Sequence, residues 1–128
     1  MILLIDTSTA VCQITFIDGE VIRKYDWQAD RTLAKKLLGY LSEKLGENGK
    51  TWSDITGIGV FAGPGSFTGL RIGITVMNTI ADAQAVSIVA GHGDDWQTEV
   101  LSKLKSGQNE KIVLPFYGSE AHITAPRK

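Results

Sequence analysis

Apolar positions along this chain change their period several times, and each change marks an element. Ile2-Leu-Leu-Ile5 is an unbroken apolar run, the pattern of a central strand covered on both faces, and it ends in Asp6-Thr-Ser-Thr9. Cys12, Ile14 and Phe16 then alternate with Gln13, Thr15 and Ile17, and Asp18-Gly19 signals a two-residue hairpin turn before Glu20 to Trp27. The pattern predicts three antiparallel strands at the start of the fold. At Leu33 the period lengthens: Leu33, Leu37, Leu41 and Leu45, flanked by Ala34 and Leu38, form one apolar stripe opposite Lys35, Lys36, Ser42, Glu43 and Lys44. This predicts a surface helix ended by Gly46. After a polar link, Ile55 to Ala62 is apolar and β-branched, a strand that runs into a glycine-rich loop. From Leu70 to Ala83 the spacing is helical and apolar on two faces, Leu70, Ile74, Met77 and Ala81 on one and Ile72, Val76 and Ile80 on another. A helix of that kind is buried on two sides. Ala85 to Ala90 predicts another strand, and Asp94-Asp-Trp-Gln97 a third helix carrying Trp96, Val100, Leu101 and Leu104, with Asp94 as its cap. Lys111 to Phe116 predicts a last strand, turned by Gly118-Ser119 into His122-Ile-Thr124.

An antiparallel meander followed by strand–helix crossovers implies an α/β fold, a mixed five-stranded sheet with helices on both faces. This is the element order of one ribonuclease H-like lobe of the actin-type ATPase (ASKHA) class. The 128 residues suit a single lobe over 1–110, with 111–128 as a terminal strand or hairpin, a remnant of the start of a second lobe. A formal net charge of −1 gives no basic footprint for nucleic acid. The single cysteine, Cys12, sits at an apolar strand position and reads as a small buried hydrophobe. No apolar stretch approaches the ~20 residues of a membrane span, and Met1 to Asp6 lacks the basic start of a signal peptide, so a cytoplasmic protein with no membrane partner is expected.

Chemistry concentrates in Gly63-Pro-Gly-Ser-Phe-Thr-Gly-Leu-Arg-Ile-Gly73, which joins a strand to a helix. Gly63 and Gly65 give backbone freedom, and Ser66 and Thr68 suit the start of the helix. Such a loop can aim N–H groups and a helix N-terminus at an anion, or serve as a tight turn with nothing bound. Asp6, Thr7, Ser8, Thr9, Gly63, Gly65, Ser66 and Thr68 are therefore the candidates for a phosphate loop or vestigial nucleotide site. Asp6 equally suits a carboxylate closing the turn after its own strand. No base is marked beside Ser8 or Thr9, so no catalytic residue is assigned. His92 and His122 have no second ligand at metal spacing, and no metal is expected. Asp94 and Asp95 read as helix-start charges.

Two segments, Ile2-Leu-Leu-Ile-Asp-Thr-Ser-Thr9 and above all Ala62-Gly-Pro-Gly-Ser-Phe-Thr-Gly-Leu-Arg-Ile-Gly73, resemble the signatures of the TsaB (YeaZ) family of bacterial tRNA threonylcarbamoyladenosine (t6A) biosynthesis proteins. The resemblance implies a non-catalytic scaffold that binds a TsaD homologue and, with a TsaE-like ATPase in a larger complex, supports threonylcarbamoyl transfer to adenosine 37 of tRNA. It implies contact with tRNA only through partners, no cofactor of its own, and ATP or ADP at most at the interface with the partner. The old superfamily label glycoprotease would mislead. Family members are longer and two-lobed, and many carry a histidine where this chain has Arg31-Thr32, to which no role is transferred. In actin-type ATPases each lobe contributes an aspartate to the nucleotide site; Asp6 is the one candidate here, so ATP hydrolysis by this chain alone is not expected.

The resemblance also suggests where a partner docks. The Leu70 to Ala83 helix offers more apolar surface than one sheet face consumes, so either the first helix covers the remainder or a second protein does. With the resemblance, Leu33, Leu37, Leu41, Leu70, Arg71, Ile74, Met77 and Ala81 form the expected interface, used by TsaD or by a homodimer through the same helices. The alternative function is a small nucleotide-binding phosphotransferase or hydrolase lobe using Asp6 and the Gly63 to Gly73 loop.

Overall fold

A computed structural model of the chain describes residues 1–65 and 67–116. Its five strands are β1 (Ile2–Asp6), β2 (Val11–Asp18), β3 (Val21–Gln28), β4 (Gly57–Phe61) and β5 (Ser87–Gly91), and its α-helices are α1 (Leu33–Glu47), α2 (Phe67–Gln84) and α3 (Trp96–Lys105). The sheet runs β3-β2-β1-β4-β5. β1 lies antiparallel to β2 and parallel to β4, and β4 parallel to β5, the mixed ribonuclease H-like arrangement that the element order predicts.

The apolar run of β1 is central because both faces have a cover. Leu3 and Ile5 face the side carrying α1 and α2, while Leu4 lies toward α3, and all three are buried. On the α3 side Gly59 lets the helix approach closely: a Cβ there would meet Val100 Cγ2 at 2.6 Å and Leu4 Cδ2 at 2.8 Å. On the other side the leucine stripe of α1 (Leu33, Leu37, Leu41, Leu45) packs into the same core as Leu70, Ile74 and Met77 of α2. Stacked rings of Trp27 and Tyr40, 4.5 Å apart, tie β3 to α1.

Local expectations shift at the ends of elements. The hairpin turn is Gly19-Glu20, one residue later than expected, because Gly19 takes the positive φ of +64° that opens the turn while Asp18 still pairs with Val21. α1 continues past Gly46 to Glu47, where Asn48 donates its side-chain amide to the Lys44 carbonyl (2.7 Å) and to the Tyr25 hydroxyl (2.8 Å). At α3 the N-cap position is held by Asp95, not Asp94, and no side chain caps it.

The strand expected over Lys111 to Phe116 does not form; the segment is an irregular strap. Asn78 of α2 grips it with both ends of its amide, Nδ2 donating to the Val113 carbonyl and Oδ1 accepting the Val113 N–H, each at 2.9 Å. The Phe116 N–H goes to the Ala62 carbonyl at 2.6 Å. With its backbone groups taken by a side chain and a loop, this stretch has no ladder to join. The expected turn at Gly118-Ser119 and return at His122-Ile-Thr124 lie outside the described residues. Just before the strap, Asn109 and Glu110 accept the Ile88 and Ala90 N–H groups, and the Lys103 ammonium donates to the Ala90 carbonyl (2.7 Å), so side chains close the outer edge of β5. Among the described residues no helix is long and apolar enough to cross a membrane.

Candidate functional site

The loops after β1, β4 and β5 meet at the C-terminal edge of the parallel strands, where open α/β sheets place their ligands. The sequence candidates assemble here through close packing. Thr7 is buried and its hydroxyl donates to the Gly69 carbonyl in the first turn of α2 (2.7 Å). Gly73, one turn further, makes room for it: a Cβ on Gly73 would stand 2.6 Å from Thr7 Cγ2. Gly65 lies on Ser8 in the same way, its Cβ position 2.6 Å from Ser8 Cβ. Gly63 adopts φ +133°, and a side chain there would run into the Phe116 carbonyl. Three glycines of the loop are thus spent on contact with the Asp6 to Thr9 segment and with the strap.

This packing divides the predicted site in two. On one side Asp6, Phe61, Pro64, Gly93, Asp94 and Trp96 line a cleft of about 280 Å³. Asp6 Oδ1 accepts the Ser8 N–H at 2.8 Å, the turn-closing role. Asp94, which the sequence pattern assigns to the helix start, lines the same cleft; only the fold brings it there beside Asp6 in the lining. On the other side Thr9 and Thr68 line a second cleft of about 410 Å³ with Ala29, Asp30, Arg31 and Ile72. Ser66 lies outside the described residues. The split arises because Thr7 and Ser8 seal the loop against β1, leaving Thr68 on the far side of the seal.

Neighbouring groups carry little reactive chemistry. Burial, reinforced by the Asp6 carboxylate, pushes the Cys12 thiol up to about 12, so it stays protonated at neutral pH. The His92 ring sits edge-on to Phe116 with centroids 5.9 Å apart, and its backbone N–H donates to Glu99 (3.0 Å). Among the described residues no three His, Cys, Asp or Glu side chains cluster as metal ligands. Arg71 is exposed, and no ion pair between it and Asp6 occurs among the described residues.

The expected partner surface requires correction. Leu33, Leu37, Leu41, Leu70, Ile74, Met77 and Ala81 are all buried inside the chain, and only Arg71 of that set reaches solvent. One side of α2 lies on β4 and β1 and the other against α1, so internal packing buries Leu70, Ile74, Met77 and Ala81, while Ile72 and Val76 stay partly exposed. A charge at Met77 would disrupt this core before it could repel a partner. What the two helices leave exposed is a shallow, mostly apolar groove of about 430 Å³ between them, lined by Leu38, Gly39, Ser42, Trp52, Thr79, Ile80, Ala83 and Gln84. Leu38, half exposed at 53%, stands at its rim.

Comparison with known proteins decides the family. The model of the family described as TsaD, tRNA N6-adenosine threonylcarbamoyltransferase, matches residues 27–92, just over half of the chain. The chain belongs to this family, in its TsaB/YeaZ group. The TsaB proteins of Escherichia coli and Haemophilus influenzae, both named as tRNA threonylcarbamoyladenosine biosynthesis proteins, are 31% and 30% identical over 80 residues, 62% of this chain. Those 80 residues are 35% and 34% of the two relatives, so the chain spans about a third of their length. Among solved structures, a Pseudomonas aeruginosa protein described as similar to the peptidase YeaZ superposes with a TM-score of 0.67 at 31% identity over 71% of this chain and 42% of its own. YeaZ from Pseudomonas aeruginosa gives 0.66 at 30% identity over 71% and 44%. The family thus accounts for the ribonuclease H-like sheet and the glycine loop together.

Proposed function

We propose that this chain serves t6A synthesis as a non-catalytic scaffold that docks a TsaD homologue on the outer groove between α1 and α2. The names of the curated relatives support the pathway. The carrying observation for a docking role is that groove, apolar, solvent-facing and rimmed by a half-exposed Leu38, on helices whose leucine stripe and Leu70, Ile74 and Met77 are buried in the core. The packing of Thr7, Ser8 and the loop glycines supports a joint at the loop in place of a phosphate cradle. A TsaE-like ATPase and tRNA would then join through the TsaD homologue, with any ATP or ADP held between partners.

The test is co-purification of the chain with its TsaD homologue, comparing the parent with Leu38→Glu. Leu38 is exposed, so the variant keeps its fold by circular dichroism, and capture of TsaD should fall at least tenfold. Undiminished capture by the folded variant would reject the groove; no capture by the parent chain would reject the scaffold reading itself.

A further inference from the structure

The cleft on the far side of the Thr7 and Ser8 seal takes no part in the docking role, and its chemistry differs from that of the Asp6 cleft. Its volume of about 410 Å³ falls within the range of small-molecule sites, roughly 300–1,000 Å³. Ala10, Ala29, Leu33 and Ile72 give it an apolar wall, drawn from the β1–β2 turn, the residue after β3, α1 and α2. Two adjacent residues of opposite charge, Asp30 and Arg31, complete the lining, and both are exposed.

The turn that carries these charges is held from several directions. The Ala29 and Asp30 N–H groups both donate to the Ala10 carbonyl, at 3.1 Å each. Thr32 donates its backbone N–H (2.8 Å) and its hydroxyl (2.6 Å) to the Ala29 carbonyl. Together these bonds keep Asp30 at φ +48°, a left-handed conformation that aspartate tolerates better than most residues. The Gln28 amide donates to Asp30 Oδ1 at 2.9 Å and steadies the carboxylate. Among the described residues neither Asp30 nor Arg31 takes part in an ion pair, not even with the other.

A ligand of single charge suits this lining badly. An anion that reaches Arg31 has the Asp30 carboxylate beside it, and an amine that reaches Asp30 has the Arg31 guanidinium beside it. The geometry points to a ligand that carries both charges next to an apolar group: a free α-amino acid with a branched aliphatic side chain, bound as its zwitterion. Its ammonium donates to the Asp30 carboxylate, and its carboxylate accepts from the Arg31 guanidinium. The side chain rests on Ala10, Ala29, Leu33 and Ile72. Thr68, exposed in the first turn of α2 and lining the same cleft, offers its hydroxyl to the carboxylate. The site shares no residue with the groove between α1 and α2, so it stands or falls apart from the docking role.

Titration of the 128-residue chain with leucine, followed by amide NMR shifts, tests the site. Saturable shifts at millimolar leucine should gather at Ala10, at Ala29 to Leu33 and at Thr68 to Ile72. Isocaproate lacks the ammonium, leucine methyl ester lacks the free carboxylate and glycine lacks the side chain; each should bind at least about tenfold more weakly. Arg31→Gln and Asp30→Asn should each weaken leucine binding by a similar factor. Both positions are exposed, and asparagine also tolerates the left-handed conformation, so circular dichroism should show the parent fold in both variants. Leu38→Glu, in the groove, should leave leucine binding unchanged. The absence of saturable shifts, or shifts gathered elsewhere, would overturn the proposal. So would an analogue that binds as tightly as leucine, a folded Arg31→Gln or Asp30→Asn chain that binds like the parent, or leucine binding lost in Leu38→Glu.

Discussion

At the scale of single residues, the contact between Gly73 and Thr7 holds the candidate site together. Thr7 is a buried, β-branched side chain with few rotamers, fixed by its bond to the Gly69 carbonyl, so it cannot swing away from a methyl group added at Gly73. Gly73→Ala should therefore destabilise the chain by about 1–3 kcal/mol through overpacking, despite the better helix propensity of alanine. Gly39, in α1, faces open space, and Gly39→Ala should instead stabilise by up to about 1 kcal/mol. Urea denaturation of the two variants measures both, and adding Thr7→Ala to Gly73→Ala should recover part of the loss. Equal behaviour of the two glycines would show that the loop is not held by this contact.

At the scale of elements, much was legible because periodicity reports an element's own burial. The leucine stripe of α1 and the apolar run of β1 occupy the core as their spacing implies. Less legible was which neighbour covers an apolar face. The two faces of α2 look identical from sequence whether α1 or a second protein lies on them, so spacing alone does not separate an interface from the core to which Ile74 and Met77 belong. The strap escaped for a similar reason, since nothing in Ile112-Val-Leu marks that Asn78, 35 residues earlier, will take up the Val113 amide. The placing of Asp6 and Asp94 in one cleft likewise depends on three loops converging. Side-chain anchors of this kind have consequences that can be measured. Glu99 of α3 is partly buried, which raises its pKa, but the His92 N–H and the Lys103 ammonium outweigh burial and hold it below its ordinary 4.5. A carboxyl held low contributes stability above its unfolded value and loses it as pH falls through the folded one. The urea midpoint of Glu99→Gln should thus lie below the parent's at pH 7, and the difference should vanish well below pH 4.5. A gap constant across that range would show that the Glu99 charge does not help seat α3 on β5.

On the scale of the whole molecule, the question is whether the cleft at the strand ends binds nucleotide unaided or only scaffolds. The two readings diverge on electrostatics. A polyphosphate entering the 280 Å³ cleft meets Asp6 and Asp94, with no lysine or arginine lining it among the described residues, on a chain already at net charge −1. A divalent cation could bridge carboxylate to phosphate, but Asp6 already has one oxygen engaged by the Ser8 N–H, and the glycine loop is packed against Thr7 and Ser8. Isothermal calorimetry of the isolated chain with ATP and Mg²⁺ should therefore give no saturable heat, and no phosphate release should follow. Saturable binding lost in Asp6→Ala would instead establish the phosphotransferase or hydrolase alternative, and it would do so whatever the chain's behaviour toward TsaD. Binding that appears only when TsaD is added would place the nucleotide between partners, where the scaffold reading puts it.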